Sequence, residues 1–197
     1  ATHAGLTVGE DGASHQGTED IAVMRALPNM TVLSPCDAVE TKKAVRAAAQ
    51  HIGPVYIRLG RPKVPIIMSE DYEFVLGKAV NLREGEDVTI IATGFMVGLA
   101  LEAAAGLEQE GIGISAAVLN IHTIKPIDKE AITQAAQATG AIVTAEDHNI
   151  IGGLGGAVAE TLVENFPVPM KRIGLKDVFG ESGEPMELFK KYEMHST

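Results

Sequence analysis

Apolar, β-branched runs alternate along the chain with stretches in which apolar residues recur every three or four positions. This alternation predicts an α/β protein in which helices cover a mostly parallel sheet. Two such blocks flank "RPKVPIIMSEDYE", whose three prolines indicate a linker. We place the boundary between Ser69 and Glu73, which gives two three-layer α/β/α units, residues 1–70 and 71–197.

The first block predicts two helices and two short strands. One helix lies in "TEDIAVMRALPN" and stops at Pro28, and the strands lie in "TVLSP" and "PVYIRLG". The second helix, "DAVETKKAVRAAAQH", opens with Asp37 and Glu40 at the spacing of a capping box.

The second block reads as strand, helix, strand, helix, strand, helix, strand with short connections. Its strands lie in "DVTIIATG", "ISAAVLNI", "AIVTAED" and "PMKRIGL", and its helices in "FMVGLALEAAAGLEQEG", "DKEAITQAAQATG" and "AVAETLVENF". This order predicts an independent, doubly wound and mostly parallel domain.

Composition narrows the classes of partner. A formal net charge of −10 argues against nucleic acid or an anionic membrane, since such partners need clustered Lys and Arg. The single cysteine, Cys36, excludes an internal disulfide framework, and a buried thiol is favoured over a reactive one. The lone cysteine fits a reducing cytoplasm, and these residues show no signal-peptide pattern and no apolar run long enough to cross a bilayer, so we expect a cytoplasmic protein. Because the chain starts at Ala1 with a polar loop, we also expect residues upstream of it.

The glycine-rich "IIGGLGGAVAE" follows a strand and opens a helix, as nucleotide-binding loops do. Its G-G-x-G-G spacing differs from G-x-G-x-x-G, which favours a tight structural turn. Glu146, Asp147 and His148 precede it, but neighbouring strand residues point to opposite faces, so we predict no metal site there.

The stretch "THAGLTVGEDGASHQG" is too rich in glycine for a helix and too polar for a packed strand. Its glycines would allow His3 and His15 to fold back toward one cavity, and Asp11 could present a carboxylate to a substrate hydroxyl. His15 precedes a predicted helix, whose dipole would favour a neutral imidazole able to transfer protons. From the residue types alone, a functional and a purely structural loop remain equally open.

The sequence from "THAGLTVGEDGASHQG" to "SPCDAVET", followed by "GPVYIRLGRPK", closely resembles the pyrimidine-binding domain of transketolases. The G-E-D-G-x-[ST]-H-Q core and the R-x-x-P-N-M segment carry this resemblance. The second block, with "VFGESGEPMELFKKY", resembles the transketolase C-terminal domain. A transketolase has, in addition, a diphosphate-binding domain with a metal motif and the first part of the pyrimidine-binding domain. The chain thus resembles the C-terminal portion of a transketolase, such as the small subunit of an enzyme split over two chains.

The resemblance implies a role for four residues. His3 and Arg61 would bind the phosphate end of a sugar, Asp11 would bind a hydroxyl beside the reacting carbonyl, and His15 would be catalytic, beside the cofactor's aminopyrimidine.

The implied reaction moves a two-carbon ketol unit from a ketose phosphate to an aldose phosphate, as in the pentose phosphate pathway. The implied cofactors are thiamine diphosphate and a divalent metal, Mg²⁺ or Ca²⁺, both held mainly outside this chain. The implied partners are sugar phosphates, the diphosphate-binding domain or subunit, and a second copy in a dimer. The chain alone is expected to be inactive.

Two alternatives remain open. Ala4 and Ala13 stand where transketolases often have Asp and Pro, and 1-deoxy-D-xylulose-5-phosphate synthases share the G-x-D-G-x-T-H-Q-G pattern. His3 and the G-E-D-G core favour transketolase. Alternatively, the chain is a non-catalytic assembly or regulatory module, since the second block contains no nucleophile or acid–base pair that stands out.

Overall fold

Two β-sheets and the helices packed on them form the framework of the protein. The computed structural model describes residues 3–109 and 112–196. In chain order, a short 3₁₀ segment (Leu6–Asp11) is followed by α1 (Asp20–Ala26), β1 (Thr31–Leu33), α2 (Ala38–Gln50), β2 (Val55–Ile57), β3 (Val80–Arg83), β4 (Val88–Ala92), α3 (Met96–Gln109), β5 (Ala116–Asn120), β6 (Thr123–Lys125), α4 (Lys129–Thr139), β7 (Ile142–Asn149), α5 (Leu154–Asn165), β8 (Met170–Leu175) and α6 (Pro185–Lys191).

The larger sheet has the strand order β3-β5-β4-β7-β8. Strands β5, β4, β7 and β8 run parallel, and β3 pairs antiparallel with β5 at one edge. Ile90 joins the apolar cluster that contains α3, whereas its neighbour Ile91 joins the cluster that contains α4 and α5. Because successive strand residues face opposite sides, these helices cover both faces of the sheet. The predicted α/β class and the doubly wound, mostly parallel unit are confirmed.

The smaller sheet has the order β2-β1-β6. Strands β1 and β2 are parallel, as βαβ connectivity through α2 requires. Strand β6, however, comes from the second block of the sequence and pairs antiparallel with β1. The second block therefore contributes one strand, β6, to the first sheet, a pairing that the sequence pattern did not predict.

The start of α2 has Asp37 as the predicted N-cap, and the reciprocal bond to Glu40 comes from the residue before the cap. Asp37 Oδ1 accepts a hydrogen bond from the Glu40 amide (2.8 Å), and the Glu40 carboxylate accepts one from the Cys36 amide (2.7 Å). Cys36 is buried, and burial together with the nearby Glu40 carboxylate raises the pKa of its thiol. The interpretation of Cys36 as a buried thiol therefore holds.

In the part of the chain that the structure describes, no helix combines the length and the apolar character needed to cross a membrane.

Candidate functional site

The polar loop of residues 3–17 lies where the carboxyl ends of β2 and β7 meet. Its two ends are joined by a bridge between Ala4 and Gly17, and the Ala4 amide donates to Leu59 O (3.1 Å), just beyond β2. In α/β proteins this edge of the sheet is where ligands bind. The loop is thus attached on both sides to sheet elements at a position suited to a ligand.

Asp147, near the end of β7, fixes the first turn of this loop. Its Oδ1 accepts a hydrogen bond from the Leu6 amide (2.8 Å), and both groups are buried. Gly5 adopts φ +83°, and a Cβ at this position would overlap the Asp147 carboxylate. Only glycine fits both the backbone conformation and the close approach of the carboxylate.

The structure brings two of the four predicted site residues into direct contact. Arg61 Nη1 lies 2.7 Å from Asp11 Oδ2 and also donates to Val8 O (3.1 Å). The side chains of Arg61 and Asp11 are 43% and 45% exposed, so both reach solvent from a fixed position. His3 and His15 are also exposed, and His15 Nδ1 lies 3.0 Å from Ser14 Oγ.

The predicted relation between His15 and a helix dipole was wrong. Helix α1 begins at Asp20, with Glu19 as its N-cap, so four residues separate His15 from the first helical residue. The acidic side chains of Glu19 and Asp20 lie at that helix end, and the Glu19 carboxylate accepts from the Thr18 amide (2.9 Å). The orientation of His15 therefore comes from the loop and from Ser14.

A buried ion pair between Arg58 and Asp20 lies next to the end of the loop and holds it in place. Arg58 Nε donates to both carboxylate oxygens of Asp20 (3.0 and 3.2 Å), and its Nη2 donates to Gly17 O (3.0 Å) and Asp147 O (2.7 Å). Tyr56 donates to the same Asp20 carboxylate (2.7 Å). Burial alone would raise the pKa of Asp20, but the Arg58 charge and these hydrogen bonds hold it below its ordinary value. Arg58 thus links both sheets to the end of the loop.

The glycine-rich turn before α5 is closed by a carboxylate from its own chain. Glu146 accepts hydrogen bonds from the amides of Leu154 (2.6 Å) and Gly155 (2.8 Å), the first residues of α5. A Cβ at Gly153 would overlap the Glu146 carboxylate, so the glycine allows this close approach. Burial raises the pKa of Glu146 to about 7, although these amides favour ionisation. This turn is structural, as its spacing indicates.

A cavity of about 290 Å³ lies beside Arg61. One wall is formed by the loop, including Gly9 and Glu10, and the opposite wall by Glu184 and Pro185 at the start of α6. The segment that resembles the end of the transketolase C-terminal domain therefore borders the same site as the N-terminal loop.

Three residues that hold the site together were not predicted from the sequence: Arg58, Asp147 and Gln16. Arg58 is a charged residue within the apolar run "PVYIRLG". A charge in a buried strand needs a buried partner, so this pattern could have indicated an ion pair. Asp147 was considered only as a metal ligand. Gln16 lies within the recognised motif, but nothing in its local sequence indicates that its side chain is buried.

Comparison with known proteins supports the resemblance. The family model described as the transketolase pyrimidine binding domain matches residues 1–66, and the transketolase C-terminal domain model matches residues 77–197. The 6-deoxy-6-sulfo-D-fructose transketolase subunit of Clostridium sp. strain MSTE9 is 51% identical over 188 residues, which are 95% of this chain and 58% of that protein. A putative transketolase C-terminal section from Methanocaldococcus jannaschii is 52% identical over 195 residues, which are 98% of this chain and 60% of that protein.

A solved structure described as a split gene transketolase, inactive beta4 tetramer, is similar over the whole chain. It superposes with a TM-score of 0.89 at 49% identity and covers 100% of this chain and 61% of that one. The chain thus spans about 60% of the length of the relatives that it matches. The C-terminal domain model alone covers more than half of the sequence, and the chain belongs to the transketolase family.

Proposed function

We propose that this chain is the sugar-binding component of a thiamine-diphosphate-dependent transketolase and acts together with a diphosphate-binding domain or subunit. The observation that carries the proposal is the ion pair between Asp11 and Arg61, held half-exposed on a loop that also presents His15. In the proposed assembly, two such sugar-binding components form a dimer in the cytoplasm.

Arg61 is suited to bind the anionic end of a sugar. Its guanidinium offers several N–H donors in one plane, of which Nη1 is engaged by Asp11 and Val8 O. The remaining donors would bind a terminal phosphate. The Clostridium relative is described as acting on a sulfonated sugar, so a sulfonate is the second anion to test at this position.

Asp11 and His15 are suited to the reacting end of the sugar. Asp11 would accept a hydrogen bond from a sugar hydroxyl while its other contact, to Arg61, holds the carboxylate in place. His15 has Ser14 at Nδ1, which leaves Nε2 to stabilise charge or move a proton at the donor oxygen. His3, next to the bridge at Ala4, would approach the phosphate end.

The loop also fits a cofactor contact, because the exposed His15 imidazole can hydrogen-bond a polar ring. When bound, thiamine diphosphate supplies the nucleophilic carbon and the electron sink for ketol transfer. We propose that its diphosphate and a divalent cation, Mg²⁺ or Ca²⁺, are held by the partner domain or subunit, while residues of this chain position the sugar.

The test is ketol transfer by the full-length protein combined with the diphosphate-binding subunit, in the presence of thiamine diphosphate and Mg²⁺. Activity is expected only in the combination. His15→Ala should lower kcat by about 10²-fold, the contribution of a positioned acid–base or charge-stabilising group. Arg61→Ala should raise KM for phosphorylated sugars about tenfold or more, because a charge-assisted hydrogen bond is lost.

His51→Ala is the matched control for His15→Ala. His51 lies at the opposite, amino-terminal end of β1, where its Nε2 is 3.2 Å from Thr31 Oγ1, so its loss should leave kcat within about threefold. Equal losses in both histidine variants, or no transfer by the combined subunits with any sugar phosphate or sulfonate, would contradict the proposal.

A further inference from the structure

The segment of residues 179–185, between β8 and α6, lies directly on the polar loop of residues 3–17. Gln16 is 3% exposed, and its side-chain amide donates to Glu181 O (2.9 Å) in this segment and to Gly9 O (2.9 Å) within the loop. One side chain therefore ties the middle and the end of the loop to a segment 165 residues away.

Close backbone approach along the same contact shows that the two segments are fitted to each other. A Cβ at Gly12 would lie 2.5 Å from Ser182 Oγ, and a Cβ at Gly9 would lie 3.2 Å from Gly183 O. From the opposite side, a Cβ at Gly180 would overlap the Gln16 carboxamide. Glycines on both segments thus allow a contact that larger residues would separate.

The segment is itself anchored to α6. Glu181 forms an ion pair with Lys191, and the Tyr192 hydroxyl donates to Phe179 O (3.4 Å). Phe189 of α6 and Leu6 of the loop are fully buried in the same apolar cluster. Movement of residues 179–185 together with α6 would therefore disrupt buried apolar packing against the loop as well as hydrogen bonds.

We infer that residues 179–185 act as a clamp that sets the position of Asp11 and His15, and that Gln16 is the positioning residue through which the clamp acts. Asp11 lies between the clamped residues Gly9 and Gly12, and His15 adjoins Gln16. The consequence for catalysis rests on the proposed function, whereas the clamp itself is a property of the fold. Through this clamp, the C-terminal part of the chain acts at the sugar site.

A double-mutant cycle across the contact tests the clamp. Gln16→Ala removes the side-chain amide that hydrogen-bonds Glu181 O. Gly180→Ala, a change in the clamp, displaces the same amide by adding a methyl group. Each change should speed amide hydrogen exchange in residues 8–17 about tenfold, with no change in α4. In the double variant, Gly180→Ala should add only the smaller effect of its approach to Leu6 Cδ2 (2.9 Å), because the carboxamide that it displaces is already gone.

Two controls match the chemical changes. Gly106→Ala adds a methyl group on α3, where a Cβ meets nothing within 4 Å, and Gln137→Ala removes an exposed carboxamide on α4. Both should leave exchange in the loop unchanged. If Gln16→Ala does not fold, Gln16→Met replaces it, since it keeps the side-chain length without the donors.

The clamp would be overturned if amide exchange in the loop stays at the parental rate in both single variants. It would also be overturned if the two increases in exchange rate multiply in the double variant. In the assembled enzyme, both single variants should lower kcat about tenfold, because His15 loses its position, and should raise KM for the donor sugar less. An equal fall in kcat in Gly106→Ala would also count against the inference. The exchange measurement needs no activity, so a parent protein without ketol transfer would refute the proposed function and not the clamp.

Discussion

Replacing Arg58 with methionine should be the most destabilising single change beneath the site. Arg58 is 7% exposed and holds Asp20, Gly17 O and Asp147 O through four hydrogen bonds. The variant would leave a buried carboxylate without its cation and two carbonyls without their donor. Breaking a buried ion pair in this way costs about 3–5 kcal/mol. For a chain of this length, that corresponds to a fall in Tm of about 6–20 °C.

The assay is urea unfolding of the parent and of Arg58→Met, followed by circular dichroism and extrapolated linearly to water. Lys129→Met is the control, because the ion pair of Lys129 with Glu164 (3.1 Å) joins side chains that are 60% and 61% exposed. Its loss should change stability by about 0.5 kcal/mol or less.

The pH dependence gives a second signature of the same ion pair. The pKa of Asp20 is lowered in the folded parent, so its contribution to stability is present at neutral pH and is lost only as the pH falls through that lowered value. Without Arg58, burial raises the pKa of Asp20, and protonation relieves the unpaired charge at a higher pH. The deficit of Arg58→Met should therefore be smaller at pH 5 than at pH 7. A deficit under about 1 kcal/mol at pH 7, in the range of exposed pairs, would refute this reasoning.

Two further predictions concern the stability of the protein after substitution of His122 and of Gly5. His122 is buried with its ring centroid 4.2 Å from that of Phe74, and burial lowers its pKa to about 4, so the unfolded state binds more protons below pH 6.5. Between pH 7.5 and 5.5 the parent should therefore lose about 1.3 kcal/mol more stability than His122→Phe. If the unfolding free energies of the two proteins instead change in parallel with pH, His122 does not titrate in this way. Gly5→Ala should cost about 2 kcal/mol or more in urea unfolding, because φ is +83° and the new methyl group meets Asp147, whereas Gly106→Ala should be neutral or stabilising. Equal unfolding free energies for Gly5→Ala and the parent would contradict the close packing at Asp147.

The sequence alone determined the features that depend on local spacing. The alternation of apolar runs predicted the parallel sheet and its covering helices, and the spacing of Asp37 and Glu40 predicted the cap of α2. The composition of residues 3–17 identified a loop that could hold chemistry. The resemblance of this loop and of "GPVYIRLGRPK" to transketolases indicated the family and the four candidate residues. Each apolar run, cap and motif lies within about fifteen residues, the range over which chain geometry decides which side chains face each other.

Only the tertiary structure decided the contacts between distant segments. Strand β6 is three residues long, too short a run to predict a strand, and it forms by pairing with β1, about ninety residues earlier. The pairing of Arg58 with Asp20 and the burial of Gln16 against residues 179–185 likewise depend on how the two sheets meet. A buried charge or carboxamide is stable only where partners from other segments replace water, and those partners are set by the packing of the whole chain.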